Sequence, residues 1–301
     1  MPPGLRGPGG LFPLTQVVES PDRVAAARSA TNNQWRRLLD RTMRGRETND
    51  LKRSALVFSP HPDDETLGCG GTIIRKLEQG ATVHVAYLTD GAQSHVPLMD
   101  SKVVKSMRHL EALDACGELG LSEAHVHFID LPDGHLAEHG QEAVDNVREL
   151  LDTLGPEEVF VTHRDEAPAD HRSANSFVRQ AVEVSGSVTV IWEYPIWRWN
   201  SWPWLGLVEG SWHHPWAVAK AVSKGLSSLS LLTGCNCAVE VSQVLDRKRA
   251  ALEMHRSQMV RINGDQNWDV LSDYSDGRFL EMLFQPHEAF RRYMMPGNRR
   301  V

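Results

Sequence analysis

Residues 58–71 read FSPHPDDETLGCGG and place one histidine, two aspartates and one glutamate directly behind a short apolar run. Acidic side chains this close together repel one another, and partial burial adds a desolvation cost. A divalent cation removes that cost because it favours deprotonated carboxylates and neutral imidazoles. The stretch therefore predicts a metal site in which His61 and Asp64 are two of the ligands.

The third ligand is expected from the later sequence PADHR. This stretch contains His171, with Asp170 beside it as an orienting or water-positioning group. Imidazole and carboxylate ligands suit zinc, whose catalytic sites use three protein ligands and keep one position for water. Asp63 would lie near the ion without binding it and could take a proton from water there. This pattern predicts a metal-dependent hydrolase with Asp63 as general base.

Two other features of the first stretch have simpler interpretations. Glu65 stands at a helix start, where a carboxylate is favoured by the positive end of the helix dipole. The glycines of GCGG allow close backbone approach, but they lack the G-x-G-x-x-G spacing of a dinucleotide site. Because the adjacent acidic residues would also repel a pyrophosphate, we reject a dinucleotide-binding turn.

Strand-like and helix-like patterns alternate over residues 51–195. We predict strands at 54–58, 82–89, 124–129, 158–163 and 188–194. We predict helices at 66–80, 101–120, 141–154 and 171–184. Alternation of this kind indicates an α/β fold, a doubly wound and mainly parallel sheet of about five strands flanked by helices.

The polar clusters follow the strands. FSPHPDDE, TDGAQSH, LPDGHL and HRDEAPADH come directly after the first, second, third and fourth predicted strands. Ligands of doubly wound sheets bind outside the carboxyl ends of the strands, where the strand order reverses. We therefore expect these clusters to converge on one edge of the sheet.

The segments outside the α/β core have distinct characters. We predict an N-terminal arm and helix over 1–50, with the helix at 22–45, and one domain over 51–301. The domain divides into an α/β core (51–195), a tryptophan-rich loop segment (196–237) and a helical part (238–301). Helices are expected at 242–259 and near 278–294 in that last part.

The tryptophan-rich segment leaves three interpretations open. Seven of the nine tryptophans fall within 192–216. They could form a hydrophobic cover over the sheet, or an apolar wall for a ligand such as a sugar or lipid. Shallow insertion at a membrane interface also fits tryptophan enrichment, although the basic face that favours such insertion is missing.

Composition restricts the partners and the compartment. A net charge of −7, from 32 basic and 39 acidic residues, argues against nucleic acid or an anionic membrane as main partner. No window approaches the ~18 apolar residues of a membrane span, and the first residues lack a signal-peptide pattern. Four scattered cysteines are typical of reduced thiols in a cytoplasmic protein. Only the C-x-C pair Cys235 and Cys237 suggests a second, incomplete metal motif.

The motif PHPDDETLGCGGTI with a later DHR resembles the PIG-L/LmbE family of zinc-dependent N-deacetylases, which remove acetyl groups from N-acetylglucosamine-containing molecules. The resemblance spans roughly residues 54–260. It implies a Rossmann-like sheet, Zn²⁺ held by His61, Asp64 and His171, and Asp63 as general base. It also implies that Arg108, in MRHLEAL, and Asp133, in LPDG, contact the substrate.

One position departs from the family pattern. Many members have a histidine two residues before the aspartate of the DH pair, where it stabilises an oxyanion or protonates the leaving amine, and this chain has Pro168 there. We expect another group to take that role, with His255 in MHRSQM as catalytic candidate and Arg164 or His163 as alternatives.

The resemblance implies an enzyme that hydrolyses the N-acetyl group of an N-acetylglucosamine-type amino sugar or its conjugate, and the cysteine content predicts that it is cytoplasmic. Three alternatives stay open: a zinc amidase for another amide conjugate of the mycothiol type, a catalytically weak sugar-binding relative, and a nucleotide-binding regulator that would leave the metal ligands unexplained. The expected partner is a small acetylated amino sugar or glycoconjugate, and a homo-oligomer stays open.

Overall fold

Seven strands of the described chain form one sheet. The computed structural model describes residues 37–49, 51–96, 98–186, 188, 190–201 and 234–295. The strands are β1 (Ala55–Ser59), β2 (Val83–Thr89), β3 (Val126–Leu131), β4 (Glu158–Thr162), β5 (Val190–Tyr194), β6 (Cys237–Glu240) and β7 (His287–Met294). Their spatial order is β3-β2-β1-β4-β5-β7-β6. The predicted α/β class, with a mainly parallel sheet flanked by helices, is confirmed.

The helices lie mostly between the strands. They are α1 (37–44), α2 (Asp64–Glu78), α3 (Ser101–Leu119), α4 (Gly140–Leu154), α5 (Ala169–Ser185), α6 (Leu245–Met254), α7 (Arg256–Met259) and α8 (Arg278–Leu283). Parallel neighbours need such crossover connections, because a tight turn can join only antiparallel strands. None of the helices in the described part is long and apolar enough to cross a bilayer.

Local sequence explains where α3 begins and ends. The Asp100 side chain accepts a hydrogen bond from the backbone N–H of Lys102 at 2.9 Å, which satisfies one of the free amides of the first turn. Gly120 follows the last helical residue with φ of 98°, a left-handed conformation that glycine adopts without steric cost. The position of this helix matters because it carries Arg108.

Both faces of the sheet are covered by helices. On one face, β-strand side chains such as Leu56 and Phe58 pack in a buried cluster with Ala143 and Val147 of α4 and Val178 of α5. The other face is covered by α2, α3 and α6, which contact one another. Gly68 lets α2 approach this face, since a Cβ there would come within 2.1 Å of the Tyr194 ring on β5.

Two strands and one helix end were not predicted. β7 runs antiparallel between β5 and β6, so the predicted helix near 278–294 is wrong beyond Leu283. The sequence contains a reason: Pro286 lacks a backbone N–H and disfavours helix at the residue before it. The predicted helix at 242–259 is broken at His255, which separates α6 from α7.

Some predictions concern the ends and the tryptophan-rich segment. Residues 202–233 of that segment, Trp35 and most of the predicted 22–45 helix lie outside the described residues. Residues Leu38–Val301 form one compact unit, whose first helix buries Leu39 and Met43. The domain boundary at residue 50 stays a prediction.

The strand order places the crevice of the sheet beside β1. The chain proceeds from β1 to β2 and β3 on one side, and then returns to add β4 on the other side of β1. Ligand sites of open α/β sheets lie at the carboxyl ends of the strands at this reversal. The turns after β1 and β4 hold the HPDD and DH motifs.

Candidate metal centre and active site

The HPDD turn is held in a strained conformation. Asp63 has a backbone φ of 136°, a value that residues other than glycine rarely adopt, and it directly precedes the first residue of α2. The Glu65 carboxylate accepts a hydrogen bond from the Asp63 N–H at 3.1 Å, while the Ser59 Oγ accepts one from the Glu65 N–H at 3.1 Å. The turn is therefore anchored to the end of β1, with the Asp63 and Asp64 carboxylates at the crevice.

The structure brings the three predicted ligands together. The Asp64 Oδ2 lies 3.2 Å from the His61 Nδ1 and 3.2 Å from the His171 Nε2. The two imidazole centroids are 5.4 Å apart. One ligand atom from each of the three residues lies within 4.8 Å of the others, so this set could hold a metal ion.

The other nitrogen of His61 faces two more carboxylates. His61 Nε2 lies 3.1 Å from the Asp133 Oδ1 and 3.4 Å from the Asp170 Oδ2. Metal-ligating histidines usually donate their second N–H to a carboxylate, which fixes the ring and its tautomer. Both Asp133 and Asp170 are placed to orient His61 in this way, and His61, Asp133 and Asp170 form a second group compatible with an ion.

The two ring nitrogens of His171 are buried polar atoms, and one of them could bind a metal ion. Both ring nitrogens are buried without a hydrogen bond of acceptable geometry, although carboxylate oxygens of Asp64 and Glu166 lie 3.2 and 3.6 Å away. Unsatisfied buried polar atoms cost free energy and are rare in folded proteins. An ion bound by Asp64 and the His171 Nε2 would satisfy one of them, and the donor set suits zinc.

The electrostatics of the cluster favour positive charge. Burial alone would raise the pKa of Asp64, but His171 and His61 outweigh it and hold that pKa well below the usual range. Burial would lower the pKa of His171, yet the Asp64 carboxylate raises it to about 9. Carboxylates thus attract protons to both imidazoles, and a divalent ion could replace those protons.

Asp63 and Arg108 form a buried pair beside these ligands. An Nη2 of Arg108 lies 3.3 Å from the Asp63 Oδ2, and Arg108 also donates to the backbone oxygens of Pro62 and Gly91. Burial raises the pKa of Asp63 to about 6, against the opposing effect of Arg108. Arg108 therefore contacts the predicted base directly, in addition to lining the cavity.

His255 lies behind the site. Its ring is buried, and its Nε2 is 3.1 Å from the Oε1 of Glu65, whose other oxygen accepts from the Asp63 N–H. His255 is absent from the described lining of the cavity, as are His163 and Arg164. Arg164 instead donates three hydrogen bonds to Glu193 on β5, two from its Nε at 3.1 Å and one from its Nη2 at 2.6 Å.

The site opens into a cavity of about 350 Å³, a size that suits a small molecule. His61, Asp63, Asp64, Arg108, Asp133 and His171 line it, so the structure places six of the seven predicted residues together. Further lining residues were not predicted: Leu67, Gln93, Ser94, His95, Trp197, Gln258, Asp269, Val270, Leu271 and Tyr274. TDGAQSH, as a polar cluster behind a strand, contained a signal for Gln93, Ser94 and His95, and the tryptophan-rich segment, as a possible apolar wall for a ligand, contained one for Trp197.

Two aromatic side chains give the cavity a partly apolar wall. Trp197 and Tyr274 lie edge to face, with centroids 4.8 Å apart. Pro168, which replaces the expected histidine, also lines the cavity at the start of α5. The His95 ring stacks on Trp268 and both its nitrogens have partners, Ser94 and the Asp269 carbonyl.

Comparisons with known proteins find one matching family and several relatives. The PIG-L family, described as GlcNAc-PI de-N-acetylase, matches residues 56–182. A 1D-myo-inositol 2-acetamido-2-deoxy-alpha-D-glucopyranoside deacetylase from Segniliparus rotundus is 26% identical over 54% of this chain and 61% of its own length. A "Probable N-acetyl-alpha-D-glucosaminyl L-malate deacetylase 2" from Bacillus cereus is 24% identical over 69% of this chain and 84% of its own length.

The fold is shared with a solved structure. The N,N'-diacetylchitobiose deacetylase from Pyrococcus horikoshii aligns with a TM-score of 0.58 and 18% identity, over 93% of this chain and 95% of that one. The chain spans less than two thirds of several curated relatives, 61% of the Segniliparus protein and as little as 11% of another. The segment that matches the PIG-L family, residues 56–182, contains both the HPDD and the DH motif of the crevice.

Proposed function

We propose that this protein is a zinc-dependent N-deacetylase that hydrolyses the acetamide of an N-acetylglucosamine-type amino sugar or its conjugate. The observation that carries the proposal is the convergence of His61, Asp64 and His171 beside the buried carboxylate of Asp63, at the base of one cavity. The names of the Segniliparus and Bacillus relatives, both deacetylases of glucosaminyl compounds, support the same reaction class.

In this proposal His61, Asp64 and His171 hold the ion. When bound, zinc supplies Lewis acidity, which polarises an amide carbonyl and makes water more acidic. Asp133 and Asp170 hold His61 through its Nε2, so that its Nδ1 faces Asp64. Asp133 therefore has an orienting role beside the substrate contact implied by the family resemblance.

Asp63 acts as the general base. Its carboxylate accepts a proton from the water that attacks the acetyl carbon, and the same proton can pass to the leaving nitrogen. Arg108 keeps the carboxylate in place at 3.3 Å. Acetate and a free amine are the products, and one water is consumed.

His255 is proposed to position the base rather than to touch the substrate. It contacts Glu65, and Glu65 in turn accepts the hydrogen bond of the Asp63 N–H. These two contacts keep the Asp63 backbone in its strained conformation. The hydroxyl of Tyr274 and the amides of Gln93 and Gln258 are cavity groups that can donate a hydrogen bond in place of the histidine replaced by Pro168.

The charges of the cavity favour an uncharged substrate. Four of the described lining residues are aspartates, and Arg108 is the single lysine or arginine among them. A divalent ion and Arg108 balance three of those four charges, and Arg108 is already paired with Asp63. Anionic substituents such as a phosphate or a malate would therefore be repelled, whereas a neutral chito-oligosaccharide or glycoside would not.

We place the reaction in the cytoplasm. All four cysteines are free and buried, which is typical of a reducing compartment. Measurement of the protein in cell fractions tests this placement, since recovery only outside the cytoplasm would contradict it.

The activity is tested by acetate release from N-acetylglucosamine and diacetylchitobiose. We expect release with zinc-loaded protein, loss after chelation, and recovery when zinc is returned. Equal release with and without zinc would contradict a metal-dependent mechanism. Release only from non-sugar amides would favour the amidase alternative, and tight sugar binding without product would favour the weak sugar-binding relative.

A further inference from the structure

Glu166 is a buried carboxylate in the turn between β4 and α5. Its Oε1 accepts a hydrogen bond from the backbone N–H of Ile196 at 3.0 Å, and its Oε2 accepts one from the N–H of Trp197 at 2.8 Å. Both amides belong to the segment that follows β5, and the Trp197 side chain lines the cavity. The Glu166 side chain therefore anchors the segment that carries Trp197 to the turn before α5.

The same carboxylate faces His171. The Oε2 of Glu166 lies 3.6 Å from the His171 Nδ1, and that nitrogen is buried without a hydrogen-bond partner among the described residues. The other ring nitrogen, Nε2, faces the Asp64 carboxylate at 3.2 Å. A neutral imidazole has one lone pair and one N–H. If the Nε2 lone pair binds the ion, the Nδ1 carries the proton and needs an acceptor, which Glu166 is placed to supply.

Asp170, the residue before His171, was expected to orient a ligand or a water molecule, and it lies beside a different histidine. Its Oδ2 is 3.4 Å from the Nε2 of His61, and its oxygens also accept two backbone N–H groups. The two histidine ligands therefore face different carboxylates. The carboxylate next to His171 in space is Glu166 rather than its neighbour in sequence.

We propose that Glu166 is a positioning residue, which fixes His171 for metal binding and connects this ligand to the aromatic side of the cavity. The inference rests on the proposed function. With the ion at Nε2, the Nδ1–H of His171 donates to the Glu166 Oε2, as the second N–H of a metal-ligating histidine usually does to a carboxylate. The same Oε2 holds the N–H of Trp197. A change in this one carboxylate should therefore affect metal binding and substrate binding together.

Zinc affinity of the full chain, measured by competition with a chelating dye, tests the proposal without any sugar. Glu166→Ala removes both acceptors and leaves room for water, which can satisfy the freed backbone amides. We expect the zinc dissociation constant to rise ~10–100-fold, the usual effect of removing such a partner of a ligating histidine. Glu166→Gln should regain part of the affinity, because its amide oxygen can take the place of Oε2.

Glu193→Ala is the matched control. Glu193 is a buried carboxylate on β5 that pairs with Arg164, outside the predicted ligand set. Its loss should lower the thermal midpoint while the zinc dissociation constant stays close to the wild-type value. Glu166→Ala should in addition raise the KM for the acetylated sugar at saturating zinc, because the segment that carries Trp197 loses its anchor.

Unchanged zinc affinity in folded Glu166→Ala, or an equal loss of affinity in Glu193→Ala, would overturn the proposal. If Glu166→Ala unfolds, proton–nitrogen correlation spectra of the imidazoles in zinc-loaded wild-type protein decide instead. We expect a protonated Nδ1 on His171, and zinc bound at that nitrogen would overturn the proposal. His171→Gln separates this result from the proposed function, since wild-type zinc affinity in that variant would refute the ligand set itself.

Discussion

Replacing Asp63 by asparagine removes the proposed base while nearly preserving its shape. Loss of a general base typically lowers the rate ~10²–10⁴-fold, which corresponds to about 2.7–5.5 kcal/mol of transition-state stabilisation. Asp63 is not in the set that could hold the ion, so Asp63→Asn should retain zinc. We therefore expect kcat to fall by this factor while the zinc content stays at the wild-type value.

The structure indicates that the variant will fold. Arg108 loses its ionic partner at 3.3 Å but keeps the carbonyl oxygens of Pro62 and Gly91 as acceptors, and the asparagine amide oxygen can still accept from Nη2. We expect a stability loss of about 1–3 kcal/mol, the usual effect of weakening a buried polar contact. Chemical denaturation provides that value alongside the kinetic assay.

Acetate release under saturating sugar, with zinc measured in the same sample, is the assay. Asp145→Asn, on the exposed surface of α4, is the matched control and should behave as wild type. Turnover of Asp63→Asn within about threefold of wild type would refute the role of Asp63 as base. Low turnover accompanied by lost zinc would instead assign Asp63 to the ion.

Three further predictions concern stability, pH and substrate charge. His255→Leu removes the imidazole that pairs with the buried Glu65 carboxylate, so the free energy of unfolding should drop by about 3–5 kcal/mol in urea titrations. An unchanged value would contradict the Glu65–His255 pair. Burial lowers the pKa of His84 to about 4, below its ordinary value of 6.5, so the unfolded chain binds more protons between these limits. The stability contributed by neutral His84 is thus complete above pH 6.5 and is lost as the pH falls towards 4. The thermal midpoint should therefore fall less between pH 7 and pH 5 in His84→Asn than in wild type. An equal fall in both proteins would exclude this contribution of His84. N-acetylglucosamine should be deacetylated with at least about tenfold higher kcat/KM than its 6-phosphate or its malate glycoside, and the reverse order would contradict the charge argument.

The metal ligands could be predicted because their motifs lie at strand ends. An apolar run followed by HPDD, and a second strand followed by DH, are local patterns, and a parallel sheet brings the carboxyl ends of its strands to one edge. The order of strands then determines that β1 and β4 are neighbours, with His61 and His171 beside each other. This part of the site follows from chain order and strand polarity.

The remaining wall of the cavity depends on contacts between distant segments. Trp197 and Tyr274 are 77 positions apart in the sequence, and their rings meet beside Phe279 of α8. His255 was a catalytic candidate because of its segment MHRSQM, and its place behind Glu65 depends on the packing of α6 and α7, which the segment does not reveal. Sequence patterns give the type of a side chain, whereas its direction follows from tertiary packing.

Anomalous diffraction at the zinc edge, from crystals of the full chain grown with zinc, tests the central claim most directly. We expect a peak in contact with His61, Asp64 and His171, next to but not bound by Asp63. A zinc-loaded crystal with no peak between these three side chains, or with the ion held instead by Asp133 and Asp170, would contradict the account.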